Sequence, residues 1–143
     1  MTSVMPHPVD VSDRPAVDIM SRPVFAISAG TTLDQALRAL LVAGLRHLVV
    51  VDALGSVVGV ISDRQVAAAW ARDPDGLTVL PAAAVLDSSP PTVSRSATLQ
   101  TVAGVMRDHR TDVVVVVDRD RRPVGVLTAG DVVAAVARPK ATT

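Results

Sequence analysis

Apolar residues recur along the chain at spacings that alternate between those of helices and those of strands. After Thr32, leucine and alanine return every three or four residues, which predicts a helix with one apolar face. Valine-rich runs follow at residues 48–51 and 57–61, and β-branched runs of this length predict strands. The unbroken valine run at residues 113–117 lacks the alternation of a half-exposed strand, so we expect that strand to be buried on both faces.

The whole pattern occurs twice, with the second copy displaced by 66 positions and no gap. Thr32 falls on Thr98, and the segments 49–52 and 58–60 fall on 115–118 and 124–126. Each copy predicts a leading short helix followed by the order β-α-β-β-α. The predicted leading helices are 16–20 and 82–86, the strands are 24–27, 48–51, 57–61, 91–93, 113–117 and 124–127, and the longer helices follow Thr32, Ser62, Thr98 and Thr128.

The repeat divides the chain into predicted regions. Residues 15–72 and 82–138 form the two repeats, and residues 73–81 form a linker that opens with the turn-forming sequence Asp73-Pro74-Asp75-Gly76. Residues 1–14 are expected to be a flexible N-terminal segment, and residues 139–143 a tail.

The composition narrows the possible chemistry. The 143 residues include no Cys, and 14 basic side chains balance 14 acidic ones. The absence of Cys excludes disulfides and thiolate metal sites, and three dispersed His give no credible metal site. The balanced charge and the aromatic content of 1% argue against a nucleic-acid partner. No nucleophile–base pair is evident, so we expect no catalytic residues.

The high apolar content bears on location and assembly. Apolar residues make up 49% of the chain, and the mean hydropathy is +0.40. No stretch approaches the roughly 18 uncharged apolar residues of a membrane span, and the N-terminus does not read as a signal peptide, so we expect a cytoplasmic protein without a membrane partner. The apolar excess predicts a homodimer interface, with Leu37, Leu41, Trp70 and Met106 facing the core or the second subunit.

One phrase at the turn from the last strand to the last helix of each copy carries a family resemblance. It is Gly125-Val126-Leu127-Thr128-Ala129-Gly130-Asp131 in the second copy, and it runs from Gly59 to Gln65 in the first. Together with the order of elements and the opening phrase at residues 19–27, it resembles the CBS (cystathionine-β-synthase) domain, which occurs in tandem pairs called Bateman modules.

The resemblance implies an α/β (α+β) fold in which two β-α-β-β-α repeats pack through their small sheets about a pseudo-twofold axis. It also implies a function: a stand-alone regulatory sensor that binds AMP, ADP, ATP or S-adenosylmethionine in the cleft between the repeats. The alternative left open is a ligand-independent dimeric module that binds a protein partner.

Thr128 and Asp131 are the main candidates for ligand contacts. Both suit a helix start, where they satisfy free N–H groups and face the positive end of the helix dipole. The same place can bind an anion, and a carboxylate there can accept hydrogen bonds from a ribose diol. The resemblance implies that Asp131 holds the ribose and that Thr128 lies beside the phosphate. In the first copy Ser62 and the uncharged Gln65 replace them, so we expect that site to be empty, weaker or tuned to another ligand.

Further candidates surround this turn. Arg46, His47 and Arg64 are cations of the first copy that could meet a phosphate, although an exposed Arg and a structural His are the simpler interpretations. The second copy carries Asp112 and Val113 in place of Arg46 and His47. An adenine ring would lie between aliphatic side chains, with the backbone of Ala26-Ile27 or Thr92-Val93 contacting its edge.

Overall fold

Two units of the same design follow each other in the structure, a computed structural model that describes residues 13–22, 24–86 and 90–137. The predicted N-terminal segment up to residue 12 and the predicted tail lie outside the described residues. The elements are α1 Ala16–Ile19, β1 Ala26–Ser28, α2 Leu33–Ala43, β2 His47–Val51, β3 Val57–Ser62, α3 Asp63–Arg72, β4 Thr92–Ser94, α4 Leu99–His109, β5 Val113–Val117, β6 Pro123–Thr128 and α5 Ala129–Ala137, with 3₁₀ turns at Gly76–Thr78 and Ala82–Val85. Both copies therefore have the predicted order, with strand ends shifted by at most two residues.

Each unit contains one three-stranded sheet. The strand orders are β1-β2-β3 and β4-β5-β6, and in each sheet the first pair is parallel and the second antiparallel. The central strand β5 is buried on both faces, as its valine run predicts, with Val114, Val115 and Val116 fully buried. Helices cover one face of each sheet, which leaves the other face free to pack elsewhere.

The long helices form where their sequences predict. α2 buries Leu33, Ala36 and Leu40 on one face, and α4 buries the equivalent Leu99, Val102 and Met106. At the start of α2 the Thr32 backbone N–H donates to Gln35 Oε1 at 3.3 Å, which confirms the expected capping. Leu37 packs against the first core, whereas Leu41 is 73% exposed.

The free faces of the two sheets pack against each other. Val49, Val57 and Val115 form a buried valine cluster between the repeats, flanked by Val24, Val51, Val60, Val117 and Val126. The backbone N–H of Val57 donates across the contact to the Arg121 carbonyl at 3.0 Å. This arrangement confirms the predicted packing of two repeats through their sheets.

The short leading segments cross to the opposite repeat. α1 packs on the second core, where the Ala16 N–H donates to the Ala97 carbonyl at 2.7 Å. The Ala82–Val85 turn packs on the first core, where the Ala82 N–H donates to the Thr31 carbonyl at 2.6 Å. The segment at the start of the first repeat therefore completes the second core, and the segment at the start of the second repeat completes the first core.

No helix within the described ranges is long and apolar enough to cross a membrane.

Candidate functional site

Two cavities open between the repeats, and His47 and Asp112 lie on the wall of both. The larger cleft has a volume of about 610 Å³ and the smaller cleft about 250 Å³. The two clefts occupy equivalent positions on the two repeats, because Thr128 lines the larger cleft and its counterpart Ser62 lines the smaller one.

The larger cleft combines apolar and charged walls. Its apolar wall consists of Val24, Phe25, Leu45 and Val126. Its polar wall includes Ser21, Arg22, Arg46, His47, Asp112, Thr128 and the backbone of Gly130. A cleft of this size with a few convergent polar groups is typical of small-molecule sites.

The start of α5 forms part of the polar wall and is closed by reciprocal hydrogen bonds. The Thr128 N–H donates to Asp131 Oδ2 at 2.9 Å, and the Asp131 N–H donates to Thr128 Oγ1 at 3.2 Å. The Ala129 N–H donates to the Asp112 carbonyl at 2.8 Å. Since capping engages Oδ2 of Asp131, its other carboxylate oxygen takes no part in these bonds. Thr128, Ala129 and Gly130 line the larger cleft, whereas Asp131 is not among the described residues that line either cleft and adjoins the larger one through its bonds with Thr128.

The equivalent start of α3 differs at Gln65. The Ser62 N–H donates to Gln65 Oε1 at 2.8 Å, which reproduces the cap. The Gln65 Nε2 group also donates to the Val85 carbonyl at 3.2 Å. Both ends of this amide are therefore engaged by the protein, and Gln65 fastens the Ala82–Val85 turn to the first repeat. Sequence reasoning missed this role, although the Ser-x-x-Gln spacing signals the cap itself.

Charged side chains meet where β2 and β5 begin. His47 Nε2 lies 3.9 Å from Asp112 Oδ1, and the His47 side chain is 20% exposed while that of Asp112 is 75% exposed. Arg46 precedes His47 and lines the same cleft as Thr128. The structure therefore brings the predicted cations Arg46 and His47 of the first repeat to the predicted helix start of the second.

Other predicted residues lie elsewhere. Arg64 is exposed on the first turn of α3 and is not among the described residues that line either cleft. Thr92 and Val93 line a separate cavity of about 590 Å³ with Ser94, Arg95 and Asp118. Ala26 and Ile27 begin β1, whereas the larger cleft is lined by Val24 and Phe25, which precede that strand.

Arg22 is a cleft residue that sequence reasoning missed. It lies next to Ser21, which pairs with Val126 across the repeats and so carries Arg22 to the cleft. No local pattern around Arg22 indicates that pairing.

Among the described side chains, no group of three or more His, Asp or Glu residues is arranged to hold a metal ion.

Comparisons with known proteins agree with this architecture. The family model for the CBS domain matches residues 16–72 and 82–138. No curated protein matches the sequence.

Several solved structures are similar to the chain. The CBS domain pair of protein MJ0100, in complex with 5′-methylthioadenosine and S-adenosyl-L-methionine, is 25% identical with a TM-score of 0.76, covering 86% of this chain and 95% of that one. A CBS domain protein from Pyrobaculum aerophilum complexed with AMP is 27% identical with a TM-score of 0.73, covering 82% and 89%. CBSX2 in complex with AMP is 26% identical with a TM-score of 0.72, covering 85% and 95%.

Proposed function

The chain belongs to the CBS domain family, and from that premise we propose that it is a stand-alone regulatory module that senses an adenine nucleotide or a related adenosyl compound. The ligand site is the larger cleft between the repeats, and the role is regulatory rather than catalytic. The observation that carries the proposal is the meeting of Arg46 and His47 of one repeat with the helix start at Thr128 and Gly130 of the other around a single cavity. The cytoplasmic location stays a prediction from the sequence.

The apolar wall suits an adenine ring. Val24, Leu45 and Val126 are aliphatic, and Phe25, which is 46% exposed, adds an aromatic face at the same wall. A volume of about 610 Å³ lies within the range of roughly 300–1,000 Å³ that small-molecule sites occupy. Burying the base there removes apolar surface from water on both partners.

The polar wall suits the ribose and a phosphate. Asp131 is bonded to the cleft residue Thr128, and its carboxylate oxygen that is not used in capping can accept hydrogen bonds from the ribose hydroxyls of a ligand that extends past Thr128. The start of α5 at Gly130 presents the positive end of a helix, and Arg46 supplies a full positive charge to the same cavity.

Similar structures support the choice of ligand. MJ0100 is described with 5′-methylthioadenosine and S-adenosyl-L-methionine, and the protein from Pyrobaculum aerophilum is described with AMP. AMP, ADP, ATP and S-adenosylmethionine are therefore the regulatory ligands to examine. We expect the smaller cleft to bind more weakly, because it is smaller and Gln65 is already engaged.

Calorimetric titration of these four ligands tests the proposal. Asp131→Ala should weaken nucleotide binding about tenfold to a hundredfold, because a hydrogen bond to a charged group contributes about 1.5–3 kcal/mol. Gln65→Ala, the repeat-equivalent control, should weaken it less. Asp131→Asn keeps an oxygen for the cap, so it separates loss of the ligand contact from loss of the helix start.

Two outcomes would count against the assignment. A larger loss for Gln65→Ala than for Asp131→Ala would place the main site in the smaller cleft. The absence of binding by the unaltered protein for all four ligands would refute the sensor function.

A second candidate function is a ligand-independent interaction module. It is favoured by large apolar side chains exposed on the helices: Leu41 on α2, Trp70 on α3, and Val133 and Val136 on α5. We propose that these faces form a homodimer interface, which both candidate functions share. A protein partner other than a second copy belongs only to the second function.

A further inference from the structure

The two repeats present opposite charges at one equivalent position of the fold. Arg46 precedes β2 and Asp112 precedes β5, 66 positions later. Their backbone carbonyls make equivalent hydrogen bonds. The Arg46 carbonyl accepts from the Asp63 N–H at 3.1 Å, and the Asp112 carbonyl accepts from the Ala129 N–H at 2.8 Å. The backbones are therefore matched, and the reversal of charge lies in the side chains alone.

Both side chains line the larger cleft. Its charged lining consists of Arg22 and Arg46, which are positive, and Asp112, which is negative, beside the titratable His47. The positive charges outnumber the negative one, so an anion is favoured there. Asp112 lowers that advantage, and an Arg at its place, as in the first repeat, would raise it.

Among the residues that the structure describes, none donates a hydrogen bond to the Asp112 carboxylate. The side chain is 75% exposed, and Nε2 of the neighbouring His47 lies 3.9 Å from Asp112 Oδ1, beyond hydrogen-bond distance. Exposed ion pairs of this kind contribute little to folding stability. The bond that holds the start of α5 uses the backbone carbonyl of Asp112, which a substitution leaves in place.

We propose that Asp112 is a specificity-determining residue that reduces the affinity of the larger cleft for adenosyl ligands more strongly the more phosphates they carry. The inference rests on the proposed function, because it concerns the choice among ligands of that same site. A nucleoside monophosphate carries nearly two negative charges at pH 7, and two Arg side chains match them. Each added phosphate brings further negative charge near the Asp112 carboxylate, so this carboxylate opposes the binding of ADP and ATP more than it opposes the binding of AMP.

Titration of adenosine, AMP and ATP into the unaltered protein and into Asp112→Asn tests the proposal. Two unit charges about 10 Å apart in water change an equilibrium constant by about twofold at low salt. Removing the carboxylate should therefore leave adenosine unchanged, tighten AMP about fourfold and tighten ATP about sixteenfold. Asp112→Arg, which restores the residue type of the first repeat, should extend the same trend.

Asp120→Asn is the matched control. It makes the same change in net charge, but Asp120 is exposed in the turn beyond the other end of β5, where it lines the separate cavity of Thr92 and Val93 and not the larger cleft. It should leave the preference between AMP and ATP unchanged. Thermal unfolding of each variant records whether the fold is retained.

The outcomes separate this inference from the proposed function. If the unaltered protein binds adenosine or AMP, and Asp112→Asn tightens AMP and ATP by the same factor or loosens them, the specificity role is refuted while the sensor stands. If Asp120→Asn changes the preference equally, net charge rather than Asp112 is responsible, and the role is refuted. If the unaltered protein binds none of the ligands, both proposals fail together.

Discussion

Replacing Gly125 with Ala should destabilise the protein by forcing α1 away from the second sheet. A Cβ at this position would lie 2.6 Å from Cγ of Met20 and 3.0 Å from its Cβ, and Met20 is 9% exposed. Overpacking of a core costs about 1–3 kcal/mol, and an Ala in place of Gly returns about 0.4–1 kcal/mol by restricting the unfolded chain. The expected loss in the free energy of unfolding is therefore about 1–2 kcal/mol.

Urea unfolding of a small set of variants measures this effect. Gly30→Ala is the control, since no atom lies within 4 Å of a Cβ built there, and it should be close to neutral. Gly59→Ala repeats the experiment in the first repeat, where a Cβ would lie 2.5 Å from Cδ1 of Leu86. In Met20→Ala the Sδ and Cγ atoms are absent and only the Cβ of residue 20, at 3.0 Å, remains, so Gly125→Ala should cost about 1 kcal/mol less in that background.

The same substitution should weaken ligand binding. Met20 is followed by Ser21, which pairs with Val126, and by Arg22, which lines the larger cleft. Displacing Met20 therefore displaces a wall of the site, and AMP affinity should fall with stability. An unfolding free energy for Gly125→Ala equal to that of the unaltered protein would refute the reasoning, and so would strict additivity with Met20→Ala.

Two further predictions concern assembly and acid stability. Sedimentation of the unaltered protein should show a dimer at micromolar concentration, and a monomer would contradict the proposed interface. Trp70→Glu should shift the protein to monomer, because it places a charge on the apolar face. Leu54→Glu is the control, because Leu54 lies in an exposed turn, and it should leave the dimer intact. The hydroxyl of Thr32 holds the pKa of Asp34 below its ordinary value of 3.8, so NMR titration of Thr32→Val should show a higher pKa for Asp34. Because the pKa of Asp34 is lower in the folded than in the unfolded state, the ionised carboxylate stabilises the fold above pH 3.8, and this stabilisation is lost as pH falls through the folded-state pKa. An unchanged Asp34 titration in Thr32→Val would exclude the hydroxyl as the cause of the lowered pKa.

Much of the candidate site could be predicted from local sequence. The helix start at Thr128 and Asp131 follows from their spacing before an apolar run, and the structure shows both bonds of that cap. The resemblance to the CBS family, in which the two repeats face each other across the cleft, predicted Arg46 near this turn, and Arg46 and Thr128 line one cavity. Whether these groups bind a ligand stays a prediction. The cavity that Thr92 and Val93 line could not be predicted in the same way, because the sequence pattern of a strand does not indicate which cavity the strand adjoins.

The sequence by itself determined the elements, the repeat and the buried faces. The burial of Val114, Val115 and Val116 follows from an unbroken valine run, and the buried faces of α2 and α4 follow from helical spacing. These are local properties, because the backbone geometry of a helix or strand decides which side chains share a face.

Only the tertiary structure decided which surfaces meet. α1 joins the second core and the Ala82–Val85 turn joins the first, and the apolar pattern of a short segment fits either core equally well. The position of the Ala82–Val85 turn on the first repeat lets Gln65 donate to the Val85 carbonyl, and the position of α1 on the second repeat brings Arg22 to the larger cleft. Hydrophobic burial is non-directional, so a sequence pattern indicates that a face will be covered, while the shapes of the two sheets and the spaces above Gly59 and Gly125 decide what covers it.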